Sequence, residues 1–311
     1  MTEITIGVDI SKETLDAYRF PDGESRRFDN TGKGHKALMR WIGAPPARVV
    51  YEPTGPYHRG FERRLAEAGL PLVKVNPRQA RRFAEATGKL AKTDRCDAAM
   101  LARMGAVLAL TARPLRSLLL NELKDLHMAR TALIKDRTAA RNRAKTLTLA
   151  LLRRQNGERL RQIQRQLGDI DQTILMSIKA DLDLAQRLDI LTSIPGVSNT
   201  TAFALIIDMP ELGTLEPPEA ASLAGLAPVA RQSGTWTGRA FIRGGRANVR
   251  QALYMPALVA IRFNPDLKAK YETLKAAGKP PKVAITALMR KLIILANALI
   301  KAQRKWTPKN P

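Results

Sequence analysis

The chain has 311 residues, 45% of them hydrophobic, so it is long enough for two domains with real cores and is not disordered. Its 52 Lys+Arg against 28 Asp+Glu give a formal charge of +24, which implies a polyanionic partner, because basic side chains on phosphates release condensed counterions. A single cysteine, Cys96, excludes an internal disulfide and fits a reducing cytoplasm, while three scattered histidines, His35, His58 and His127, leave carboxylates as the metal ligands on offer.

The chain opens on an alternating apolar run, Ile4 to Ile10, that reads as a buried strand carrying Asp9, with no signal segment before it. Leu15 to Phe20 and Ser25 to Asp29 read as two more strands joined by the turn Pro21-Asp22-Gly23. His35 to Ile42 reads as a helix, Arg48 to Glu52 as a strand, Tyr57 to Ala68 as a helix and Pro71 to Val75 as a strand. Helices are expected at Pro77 to Ala86 and Thr93 to Leu110. Three consecutive strands, then a helix and alternating β and α units, is the order of an α/β ribonuclease H-like domain.

Four carboxylates stand out in this segment. Asp9 and Glu52 fall at strand ends, and Asp94 and Asp97 share one helix face through their i, i+3 spacing. Such a set has the number and hardness of ligands that Mg²⁺ takes, with water and a substrate phosphate completing its shell. Each acid alone has a bland reading: a first-turn helix anion, a turn acid or a surface residue. Together they point to metal-dependent phosphodiester chemistry.

After Pro114 the composition shifts. Leu119, Leu126, Leu133, Ala140 and Leu147 recur at seven-residue steps, and after the turn-prone Gln155-Asn156-Gly157 the residues Leu160, Ile163, Leu167, Ile170 and Ile174 step by three and four. This predicts two long antiparallel helices with a coiled-coil seam. The 14 basic and 4 acidic residues between Arg113 and Arg165 suit a solvated face, a nucleic-acid-facing arm or a dimer-forming arm.

The last segment begins with Ile194-Pro-Gly-Val, between apolar stretches resembling a helix-hairpin-helix, which offers backbone N–H groups to a DNA phosphate. A glycine- and arginine-rich loop follows, with Arg231, Arg239, Arg243, Arg246 and Arg250 and no acid between them, suited to phosphate. Ser233-Gly234 on this loop reads by itself as a turn. Apolar helices from Val249 to Arg262 and Lys282 to Lys301 read as core; Leu292 to Ile300 is short and contains Asn297, so no membrane partner is expected.

Gly7-Val-Asp-Ile-Ser-Lys, Tyr51-Glu-Pro-Thr-Gly, Asn76-Pro, Lys92-Thr-Asp-Arg-Cys-Asp-Ala, Ile194-Pro-Gly-Val, Gly225-Leu-Ala-Pro and Gln232-Ser-Gly stand in the order found in a known family. On these residues, spanning nearly the whole chain, it resembles the DEDD-motif (Piv-like) insertion-sequence transposases, the bridge-RNA-guided recombinases. The resemblance implies a RuvC-like domain over 1–112, a coiled-coil arm over 113–188 and a mostly α transposase domain over 189–311. It implies that Asp9, Glu52, Asp94 and Asp97 bind Mg²⁺, with Mn²⁺ as substitute, and that Ser233 attacks DNA to form a covalent phosphoserine link. It also implies DNA partners at donor ends and target, a noncoding bridge RNA, a homo-oligomer (dimer or tetramer), and a cytoplasmic, nucleoid-associated place in a bacterium. This chain departs from its relatives after Ser233, with Thr235-Trp236-Thr237 and Gly244-Gly245 where a lysine commonly precedes a single glycine.

Three other functions share some features. A RuvC-like junction nuclease would use the same acids with metal-activated water. A non-catalytic nucleic-acid-binding protein would keep only the charge. An actin-like kinase would want a Gly- and Thr-rich hairpin where Ser11-Lys-Glu-Thr-Leu-Asp stands, and would leave the charge unexplained.

Overall fold

The computed structural model describes residues 3–43, 46, 48–88, 94–112 and 117–308, so Lys92 and Thr93 of the Lys92–Ala98 motif lie outside the described residues. The chain divides into two compact units, Met1–Arg116 and Ser117–Pro311.

The first unit is built from β1 (Thr5–Ile10), β2 (Thr14–Phe20), β3 (Ser25–Asp29), α1 (Gly32–Ile42), β4 (Arg48–Tyr51), α2 (His58–Glu67), β5 (Leu72–Lys74), α3 (Pro77–Ala86) and α4 (Asp94–Val107). The strands form one sheet of order β3-β2-β1-β4-β5. β1 is antiparallel to β2 and parallel to β4, and β4 is parallel to β5. This arrangement is compatible with the ribonuclease H-like fold expected from the order of elements.

Period-two alternation assigns the two faces of the sheet. Ile6, Val8, Ile10, Leu15 and Tyr51 pack with Leu38, Phe61 and Leu65 of α1 and α2. Val50 packs on the other side with Met100, Leu101 and Met104 of α4. Gly7, Asp9, Asp16 and Glu52 have the parity of this second face, so the acids and α4 share a side.

The second unit comprises α5 (Leu118–Ala144), α6 (Ala150–Lys179), α7 (Leu182–Thr192), α8 (Asn199–Asp208), α9 (Pro217–Leu223), β6 (Pro228–Ser233), β7 (Trp236–Ile242), α10 (Ala247–Phe263), α11 (Pro265–Ala276) and α12 (Pro281–Lys301). α5 and α6 form an antiparallel hairpin: Asn156 Nδ2 donates to Ala140 O at 3.1 Å, and Arg130 Nη2 donates to Asp171 Oδ2 at 3.1 Å. Ala140, Ile163, Leu167 and Ile174 are buried along it. The turn differs from expectation. α6 runs straight through Gln155-Asn156-Gly157, and the connection lies at 145–149, which removes Leu147 from the helical seam. A glycine inside a helix costs about 1 kcal/mol, an amount that the cross-hairpin contacts of a 30-residue helix override.

Leu123, Ile174 and Ile178 of this hairpin join the same core as α7, α8, α10 and α12. α12 is long and apolar enough to cross a membrane by length and composition, yet 56% of its apolar window is buried inside the unit, with Leu288, Leu292, Ile293 and Leu299 at the centre of the core. The stretch around Ile194-Pro-Gly-Val is a helix–turn–helix corner between α7 and α8. A β-carbon on Gly196 would stand 2.9 Å from Pro256 O, so this corner is seated against α10.

Candidate active site

The acids are gathered by register and by two glycines. Val8 of β1 pairs with Tyr51 of β4, so Asp9 and Glu52 follow one residue later at neighbouring strand ends. Asp9 also lies opposite Asp16 across the antiparallel β1–β2 ladder. α4 lies over this face at close range because Gly7 has no side chain: a β-carbon there would fall 2.0 Å from Ala98 O and 2.5 Å from Ala102 N. On the helix side, a β-carbon at Gly105 would fall 2.4 Å from Val50 Cγ2. Asp94 and Asp97, in the first turn of α4, are thereby carried to Asp9. A glycine inside an apolar strand, as Gly7 is, marks such a close backbone approach.

The charge crowding has an electrostatic consequence. Burial raises the Asp9 pKa first, and the fields of Asp97, Asp94, Asp16 and Glu52 raise it further, to about 6 against its ordinary 3.8. Glu52, Asp94 and Asp97, the other three carboxylates expected from the sequence, therefore act on Asp9 within this unit, together with a fifth, Asp16. Arg27 of β3 is a further newcomer: its Nε donates to Asp16 Oδ1 at 2.9 Å and its Nη2 to Asp94 Oδ2 at 3.4 Å.

The donor set is all hard carboxylate oxygen, the chemistry that suits Mg²⁺ or Mn²⁺, and burial together with the neighbouring acids disfavours the charged form of Asp9, a cost that a cation would relieve. Among the described residues, no group of three acids, histidines or cysteines stands close enough to hold one metal ion. The acids thus fit a divalent cation in chemistry and neighbourhood, without a closed coordination shell.

Ser233 belongs to the second unit, in a hairpin where a loop was expected. β6 and β7 pair antiparallel, with Ser233 opposite Trp236 across the two-residue turn Gly234-Thr235. Gly234 has φ +54°, the positive value that the first turn position of a type II′ hairpin requires. All of β6 and nearly all of β7 are exposed, so the strands show no apolar alternation. The Ser233 hydroxyl is exposed beside the turn.

The five loop arginines divide by role. Arg246 makes a forked pair with Glu211, both contacts at 2.6 Å, and donates to Asp208 O at 2.8 Å, while Arg250 donates to Gly244 O at 2.9 Å. These two hold the hairpin base. Arg239 and Arg243 are exposed and make no hydrogen bond or ion pair among the described residues, and Arg231 stacks over Phe241 at 5.8 Å. The glycines likewise serve packing: a β-carbon on Gly245 would lie 2.1 Å from Gly225 N.

The α/β unit with its crowded acids, in a chain of charge +24, is that of a DNA transposase. Residues 6–152 match a transposase family model of the IS110 type with the DEDD motif, and residues 188–272 match the transposase model of the IS116/IS110/IS902 family. The chain belongs to this IS110-type transposase family. It is 28% identical to the pilin gene-inverting proteins of Moraxella bovis and of Moraxella lacunata, over 98% of both this chain and each relative. It is 33% identical to the insertion element IS110 uncharacterized 43.6 kDa protein of Streptomyces coelicolor, over 40% of this chain and 31% of that protein.

Proposed function

We propose that this transposase cuts and rejoins DNA strands through a covalent link to Ser233, with Asp9, Glu52, Asp94 and Asp97 holding Mg²⁺, or Mn²⁺ in its place. The observation that carries the reading is Asp9 itself, where burial and then the fields of four neighbouring carboxylates raise the pKa to about 6. Partly buried neighbouring carboxylates are costly to ionise unless a cation is bound near them. When bound, the cation neutralises charge on a phosphodiester.

The remaining steps belong to the protein's own groups. The Ser233 oxygen attacks phosphorus, the bond from phosphorus to one DNA oxygen breaks, and the serine proton is lost to a base. One phosphoester bond replaces another, so a DNA hydroxyl can reverse the step and rejoin the strand. Hydrolysis by water would forfeit this. Two relatives are named for inverting a pilin gene, and an inversion needs both cut ends rejoined. The sites are chosen by a noncoding bridge RNA that pairs with donor and target DNA, leaving the protein to read backbone shape and charge. A homo-oligomer assembles through the α5–α6 arm as a coiled coil, on the bacterial nucleoid in the cytoplasm.

The test is an SDS-stable protein–DNA adduct, formed by the purified chain with its element DNA, flanking noncoding transcript and Mg²⁺. Adduct is expected with the parent chain and absent with Ser233→Ala. Adduct persisting in Ser233→Ala, or full recombination by Asp9→Asn, would overturn the assignment.

A further inference from the structure

Beside the acids, an open cavity of about 190 Å³ is lined by Asp16, Ala17, Ser25, Arg26, Arg27 and Arg95. Three arginines and one acid are among its lining residues, and the Asp16 carboxylate is already paired with Arg27 at 2.9 Å. Arg95 follows Asp94 in the first turn of α4, is exposed, and makes no hydrogen bond or ion pair among the described residues. Arg27 is 60% exposed, so its pairs with Asp16 and Asp94 add little to the stability of the sheet. The acid site and the cavity share a wall, because Asp16 faces Asp9 on one side and Arg27 on the other.

We propose that this cavity binds a backbone phosphate of the DNA strand whose scissile phosphate lies at the acids, with Arg27 and Arg95 as its donors. This rests on the reading that the acids act on a DNA phosphodiester. Guanidinium forks match phosphate oxygens, and an exposed arginine already anchored by Asp16 loses less side-chain freedom on binding. Arg27 is two strands from Asp9, about 10 Å at ordinary strand spacing. A DNA strand rises about 3.4 Å per nucleotide, so the cavity meets a phosphate within a few nucleotides of the cut. The same side chain reaches Asp94, so it ties the grip on the flanking strand to the first turn of α4.

The experiment measures binding of the full chain to a short fluorescein-labelled duplex of element-end sequence, without divalent metal, by anisotropy across a salt series. Without metal there is no cleavage, so the result does not depend on any catalytic role of the acids. Arg27→Gln and Arg95→Gln are each expected to reduce the slope of log affinity against log salt by about one, and the double variant by about two. Arg27→Lys is expected to restore most of the slope, and thermal unfolding of all variants to stay near that of the parent. A neutral methylphosphonate placed singly near the cut is expected to weaken the parent at one position and to leave the double variant unaffected there. An unchanged slope in the double variant would overturn the proposal, as would a slope change seen with RNA of the same sequence and not with DNA.

Discussion

Gly7 and Ala98 are in backbone contact: a β-carbon on Gly7 would sit 2.0 Å from the Ala98 carbonyl oxygen. This contact sets how near the first turn of α4 comes to Asp9, two residues along the same strand face. Gly7→Ala must push α4 away or distort β1, and such overpacking costs about 1–3 kcal/mol. The expected outcome is a folded but less stable chain with recombination largely lost. Thermal unfolding and strand-exchange assays on the same preparation check it; parent-level activity in Gly7→Ala would contradict the packing argument.

The acid site predicts a pH dependence opposite to that of a salt-bridged carboxylate. Asp9 has a folded pKa of about 6 against an ordinary 3.8, so the folded state holds its proton over a range where the unfolded state has lost it. Stability from this group is therefore full below about pH 3.8, falls as pH rises to about 6, and is absent above that. Asp9→Asn removes the charging cost. The variant should be more stable than the parent at pH 7.5 by roughly 1–2 kcal/mol, a figure discounted for the partial exposure of Asp9, and no more stable near pH 3.8. Added Mg²⁺ should narrow the gap by stabilising the parent alone. Urea unfolding at both pH values, with and without Mg²⁺, measures it.

Much of the first unit is legible because its core is regular. The run from Ile4 to Ile10 alternates, so it could be read as a strand, and the acids at Asp9 and Glu52 stand out against apolar neighbours. Asp16 and Arg27 escape such reading because they acquire meaning only across the β1–β2–β3 register, which no local pattern encodes. The hairpin of β6 and β7 escapes for a different reason. Its strands are exposed, and burial on one face is what writes alternation into a sequence. At Gln155-Asn156-Gly157 the local turn signal is overridden by pairing along α5, with Asn156 itself bonded to Ala140. The exposed Ser233 carries no pattern of its own, and its candidacy came through resemblance to relatives.

Asp208 is a buried charge at the C-terminus of α8, 3% exposed and paired with Lys124 of α5. His127 Nε2 lies 3.6 Å from its other oxygen. Burial and the neighbouring Lys124 and Arg130 hold the His127 pKa down against the pull of Asp208, so the imidazole is neutral at pH 7 and Lys124 carries the compensating charge. Asp208→Ala leaves that charge without its partner, which typically costs about 3–5 kcal/mol. Asp208→Asn, which keeps a polar acceptor, should cost less. Denaturant midpoints for the two variants should fall in that order, and equal midpoints would show that Lys124 finds water instead.

Gly244 and Gly245 offer a paired test of how the Ser233 hairpin is held. Both have positive φ, +74° and +63°, so alanine is strained at either site, by roughly 1–2 kcal/mol. Only Gly245 is also crowded. Its β-carbon would lie 2.1 Å from Gly225 N and 2.4 Å from Gly225 Cα, whereas one on Gly244 meets nothing within 4 Å. Gly245→Ala must therefore part the two backbone segments at the hairpin base, where Arg246 N donates to Leu223 O at 2.8 Å. Gly244→Ala should leave that base closed. The expected result is faster proteolysis within residues 228–246 and loss of the Ser233 adduct in Gly245→Ala, with Gly244→Ala close to the parent in both. Equal behaviour of the two variants would mean that backbone strain, rather than the Gly225 contact, governs the hairpin.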